Sequence, residues 1–178
     1  TGDGSDEILM TTQYGSIRLL NDGFGGFKTA SFGAQATMQR AVVLHDVNSD
    51  SFLDLLTTEY AGGSPYAINL RLGQPGAMFD SPTLIWCDTE PQSLCVADMD
   101  GDGHDDLLVG QPGLFTILRS DGVRSFEGEV MVGTLNSVSQ FQSVDIDNDG
   151  DRDLLGGHDG LPPQITVIKN NAGFDFSA

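Results

Sequence analysis

The sequence predicts an all-β fold of repeated four-stranded blades, and three observations carry that reading. An acidic nine-residue loop of one design recurs at intervals near 50 residues. Short apolar runs flank each loop, with the length and punctuation of strands. Turn signals divide the remainder of each interval into two further strands.

The loops come first because they fix the register. Asp98, Asp100, Asp102, Gly103 and Asp106 occupy positions 1, 3, 5, 6 and 9 of one loop, and Asp145, Asp147, Asp149, Gly150 and Asp153 repeat the pattern. A variant has Asp46, Asn48, Asp50, Ser51 and Asp54, with an amide oxygen for one carboxylate and Ser where Gly is preferred. The chain opens inside a further copy, in which Asp3 stands at position 5, Gly4 at position 6 and Glu7 at position 9. One such cluster would read as a solvated turn. Repetition in register points instead to a shared ligand.

Calcium suits this donor set, because it takes six to eight hard oxygen ligands in a flexible loop. The residues at position 7, Phe52, His104 and Asp151, are expected to add a backbone carbonyl. Three full sites and a partial fourth are expected. A helix-flanked calcium loop of the EF-hand type needs an acid at position 12, and here that position holds Thr57, Val109 or Gly156. The apolar runs 42–44, 55–56, 107–109 and 154–155 complete the case for strands on both sides.

Position 5 falls at Asp3, Asp50, Asp102 and Asp149, at intervals of 47, 52 and 47 residues, a period of solenoids and propellers. A Phe after a turn is the second marker, at Phe27, Phe79, Phe126 and Phe174. The five extra residues of the second interval are placed in 59–66, which has loop composition. Each repeat then holds a strand before the acidic loop, a strand after it, a third (16–20, 67–72, 114–118, 164–168), and a fourth following the Phe. Four short antiparallel strands per unit describe a β-propeller blade. Approximate repeats are 1–38, 39–90, 91–138 and 139–178.

With DxDxDGxxD followed by Leu-Leu at 98–108 and 145–155, the chain resembles the FG-GAP and VCBS repeat families, the calcium-loop blades of integrin-like propellers. The resemblance covers essentially the whole chain, and the VCBS-like variant fits better, since Gly23-Phe-Gly-Gly-Phe27 only echoes the Phe-Gly string. It implies that the acidic loops join the innermost strand of a blade to the next one out, on the face opposite the usual ligand face, and that the calcium is structural. It also implies a ring of about seven blades, of which about four are present. The remainder is expected from the same gene, a second chain or self-association.

Of 26 acidic residues, sixteen lie in the four loops, and with eight basic residues the net charge is −18. Nucleic acid is excluded as a partner, because phosphate binding needs clustered Lys and Arg. Self-repulsion within the loops makes calcium-dependent stability the expectation. Weak calcium loops suit millimolar calcium, so an extracellular or cell-surface location is expected. No membrane span is legible, and no Asn-x-Ser/Thr sequon occurs. Cys87 and Cys95 form either a disulfide across a blade crossover or two thiols in apolar strands.

On the face opposite the acidic loops, Tyr14, Tyr60, Tyr66, His158 and Asp159 are candidate ligand contacts, since aromatic rings beside short polar groups suit sugars or peptides. Trp86, closing the run 82–86, is expected to pack between blades. No catalytic constellation stands out, because the acidic loops account for nearly all carboxylate pairs and no histidine neighbours a nucleophile motif. The chain is therefore read as a non-catalytic extracellular recognition or adhesion module binding a glycan or protein. Two alternatives are a structural subunit assembling through open blade edges, and the accessory propeller of a secreted polysaccharide-active enzyme.

Overall fold

The computed structural model describes residues 8–12, 15–32, 39–59, 65–75, 78–132, 138–158 and 164–177, and among them every regular element is a strand. The first sheet joins β1 (Ile8–Thr12), β2 (Gly15–Asn21) and β3 (Phe27–Phe32). The second joins β4 (Val42–His45), β5 (Asp54–Glu59) and β6 (Tyr66–Arg71) to β9 (Thr83–Cys87), after a small ribbon of β7 (Gly73–Gln74) and β8 (Met78–Phe79). The third runs through β10 (Ser93–Ala97), β11 (Asp106–Gln111), β12 (Leu114–Ser120) and β13 (Phe126–Val132). The fourth comprises β14 (Val138–Val144), β15 (Asp153–His158), β16 (Gln164–Asn170) and β17 (Phe176–Ser177). All pairings are antiparallel and each sheet is a meander, which is the construction of a propeller blade.

Burial explains why the blades read as they do. The second strands β5 and β11 are buried along almost their whole length, so they need apolar or small residues at consecutive positions, Leu55-Leu56-Thr57-Thr58 and Leu107-Leu108-Val109. The outer strand β9 alternates half-buried and exposed residues, the signature of one covered face.

The blades fall into two compact units, Thr1–Asp46 with Ser51–Asp88, and Val47–Asp50 with Thr89–Ala178. In the first, β4 lies against β1; in the second, β14 lies against β10 and β11. The second unit has a core of Ala97, Met99, Leu108, Phe115, Ile117, Leu154 and Ile168, flanked by Cys95, Phe141, Phe174 and Phe176. The rings of Phe115 and Phe141 stand 6.0 Å apart across the two blades. Gly110 makes this approach possible, since a Cβ there would lie 2.5 Å from the Phe141 ring.

The turns after the third strand correct the Phe register. Three share a closure, with Asp22 N donating to Gly26 O, Asp121 N to Ser125 O, and Asn171 N to Asp175 O at 2.8–3.0 Å. Phe27 and Phe126 open the next strand directly, but Phe174 lies inside its turn at φ 68° and Phe176 opens β17. Phe79 keeps the register, pairing with Gly73 in the ribbon as Phe126 pairs with Ser120, and β9 follows from Thr83. Counting from the acidic loop points to Phe174 in place of Phe176 because the β15–β16 connection is longer than the β11–β12 one. Residues 60–65 likewise make a longer β5–β6 connection than 112–113, where the extra residues of the second repeat were expected.

Candidate metal-binding loops

Three acidic loops share one backbone. Positions 4 and 6 are left-handed in each: Ser49 and Ser51 at φ 58° and 73°, Gly101 and Gly103 at 76° and 88°, Asn148 and Gly150 at 61° and 101°. Position 1 holds the loop closed by accepting from the amide of position 6. These bonds are Ser51 N to Asp46 Oδ2 at 2.7 Å, Gly103 N to Asp98 Oδ2 at 3.0 Å, and Gly150 N to Asp145 Oδ2 at 3.2 Å. Smaller rings follow, from Asp102 N to Asp100 Oδ1 and His104 N to Asp102 Oδ1, and from Asp50 N to Asn48 Oδ1. Asp151, at position 7, donates its amide to Asp149 Oδ1 at 3.0 Å.

Position 9 ties each loop to its own blade. Asp54, Asp106 and Asp153 are buried, and one oxygen of each accepts a backbone N–H at or just past the end of the third strand: Gly73, Ser120 and Asn170, at 2.7, 3.0 and 2.9 Å. The other oxygen of Asp106 takes Met99 N at 3.1 Å, and that of Asp153 takes Ile146 N at 2.8 Å. Burial pushes the Asp106 carboxyl up to about 6, against the pull of the Ser120 and Met99 amides and with the help of the charges on Asp100 and Asp102. Side chains at position 7 lean on the turn, His104 against Gly122 and the Cβ of Phe52 near Gly73, while both residues are exposed.

Carboxylates converge in two of the loops. Oxygens of Asp98, Asp100 and Asp106 lie within 4.8 Å of one another, as do those of Asp145, Asp147 and Asp149. A hard divalent cation fits this donor set, and one observation supports it beyond the clustering: Asp145 Oδ1 is buried with no hydrogen-bond partner. In loop 46–54, Asn48 Nδ2 donates to Asp50 Oδ2 at 2.9 Å. Asp3 and Glu7 lie outside the described residues.

Three residues absent from the sequence reading complete the second unit's site. Arg119 forms an ion pair with Asp100, reaches Asp102 at 3.7 Å, and sits 5.6 Å over the Phe174 ring of the next blade. Lys169 Nζ bonds Asp147 Oδ2 at 2.7 Å, which holds the Lys169 pKa up and the Asp147 pKa down. Buried Asn170 spans two loops: its Nδ2 donates to Met99 O at 2.7 Å and to Arg152 O at 3.3 Å, while its backbone binds Asp153. The signal available in the sequence was an alternation, in which a polar or charged pair ends an otherwise apolar third strand.

Two of the five candidate ligand contacts, Tyr66 and His158, lie among the described residues. Tyr14, Tyr60 and Asp159 lie outside the described residues. Tyr66 opens β6, half-buried and opposite Cys87, and His158 closes β15 opposite Gln164. Trp86 corrects its expectation: it is 62% exposed, on the same face of β9 as exposed Leu84, because β9 is the outer strand and covers only its other face. Tyr66 is on the opposite face of that sheet. Neither Cys87 nor Cys95 is in a disulfide.

The fold and the loops define a protein of propeller blades carrying acidic inter-strand loops. Residues 98–156, the segment holding both converging clusters, match the family described as FG-GAP-like repeat. No curated protein matches the chain. A solved structure that is similar over 100% of this chain is a lectin of Agrocybe aegerita, described by its specific recognition of non-reducing terminal N-acetylglucosamine. The TM-score is 0.64 at 18% identity, and this chain spans 49% of that one. The likeness establishes the fold as that of a β-propeller. Among the described residues, no helix is long and apolar enough to cross a membrane.

Proposed function

We propose that this chain is a non-catalytic, calcium-binding recognition module that works outside the cell and takes a carbohydrate ligand. The observation that carries the calcium assignment is the pair of converging carboxylate clusters on one loop geometry, with an unpartnered buried oxygen in the second. In this reading Asp98, Asp100 and Asp106, and Asp145, Asp147 and Asp149, supply oxygens to the ion, with Asp46, Asn48, Asp50 and Asp54 forming a weaker third set. Bound calcium supplies positive charge that offsets the loops' mutual repulsion. The residues themselves orient the loop: position 1 closes it, and position 9 fastens it to the third strand.

The carbohydrate assignment draws on the lectin neighbour and on the exposed indole of Trp86, a flat apolar surface of the kind that stacks on a sugar ring. A glycan array probed in millimolar-range calcium tests both parts. Binding to glycans ending in non-reducing N-acetylglucosamine, abolished by a chelator, is the expected result. Failure to retain any glycan would remove the carbohydrate reading, and release of a cleaved sugar from the array would remove the non-catalytic one.

A further inference from the structure

We infer that Arg119 and Lys169 set the ion affinity of loops 98–106 and 145–153 by holding a fixed positive charge on the carboxylate at position 3. The inference rests on the proposed calcium binding and adds residues outside the loops that control it. Both side chains leave the third strand at the same place, one residue before the amide that binds the position 9 carboxylate. Arg119 pairs with Asp100, and Lys169 with Asp147. In loop 46–54 the corresponding places hold Leu72 and Asn48, neutral on both sides. Charge at position 3 and charge at this one place therefore change together across the three loops, the neighbouring Arg71 donating instead to Asp80 O at 3.2 Å.

The placement of Arg119 is held from two directions, by Asp100 in its own blade and by the Phe174 ring in the next. A calcium ion that shares Asp100 or Asp147 must do so beside this charge, and like charges sharing a carboxylate repel. The basic residue also neutralises part of the loop's charge, so it lowers affinity while limiting self-repulsion.

The test is calorimetric titration of the whole chain with calcium alone, at low and at physiological ionic strength, for the wild type, Arg119→Gln, Lys169→Gln and Arg119→Lys. Arg119→Gln and Lys169→Gln are each expected to tighten one site by roughly three- to tenfold at low salt, with the gain shrinking as salt screens the charge. Arg119→Lys keeps the charge and is expected to stay near wild type. Unchanged or weaker binding in both Gln variants overturns the inference. Should Arg119→Gln fail to fold, the exposed Lys169→Gln decides alone. Absence of calcium binding by the wild type removes the calcium reading itself, a result visible before any variant is compared.

Discussion

Loops 98–106 and 46–54 follow the same path with different residues. The first turns on Gly101 and Gly103, and the second reaches the same left-handed conformations with Ser49 and Ser51. A left-handed non-glycine residue costs on the order of 1 kcal/mol, yet the second loop keeps its shape. What the two have in common is the hydrogen bonding: the position 1 carboxylate on the position 6 amide, and the buried position 9 carboxylate on the third strand. The carboxylates thus dictate the path, and glycine lowers its cost. Electrostatics separate the loops further, since Asp100 faces Arg119 while Asn48 has no charge to offset.

Chelation should disturb this comparison most. At a calcium concentration tenfold above the dissociation constant, each occupied loop contributes about 1.4 kcal/mol, so thermal melting with and without a chelator should show a large drop in Tm. An unchanged Tm would contradict calcium-dependent stability. Next in size is Asp106→Ala, which removes acceptors for both Ser120 and Met99 at a buried position. It should cost roughly 2–3 kcal/mol in urea unfolding even with the chelator present; a loss confined to calcium-containing buffer would show that Asp106 acts only as a ligand. The smallest effect sharpens the contrast between the loops. Ser51→Gly should stabilise by roughly 0.5–1 kcal/mol and Gly103→Ser should destabilise by a similar amount, read as opposite shifts of the urea midpoint. Shifts of the same sign would mean that backbone strain does not distinguish the loops.

Much of this was legible in the sequence because the relevant interactions are local. Loop ligands lie within nine residues of one another, and the buried second strands show as unbroken runs such as 107–109. The Phe marker points to Phe174 because the connection before β16 varies in length, and the bond from Asn170 N to Asp153 together with the Asn171–Asp175 closure fixes where that strand stops. Trp86 was assigned to a blade interface because an apolar strand does not tell which of its faces is covered.

The sequence by itself determined the all-β class, the repeat, and the positions of the acidic loops, since periodicity and turn chemistry act over a few residues. Tertiary structure alone decided which cation meets which carboxylate. Arg119 is far from Asp100 along the chain, as Lys169 is from Asp147, and Asn170 bridges to Met99 from the next blade. Such pairs arise only when the third strand is laid antiparallel beside the second and one blade is packed on another, which brings a strand end over an acidic loop.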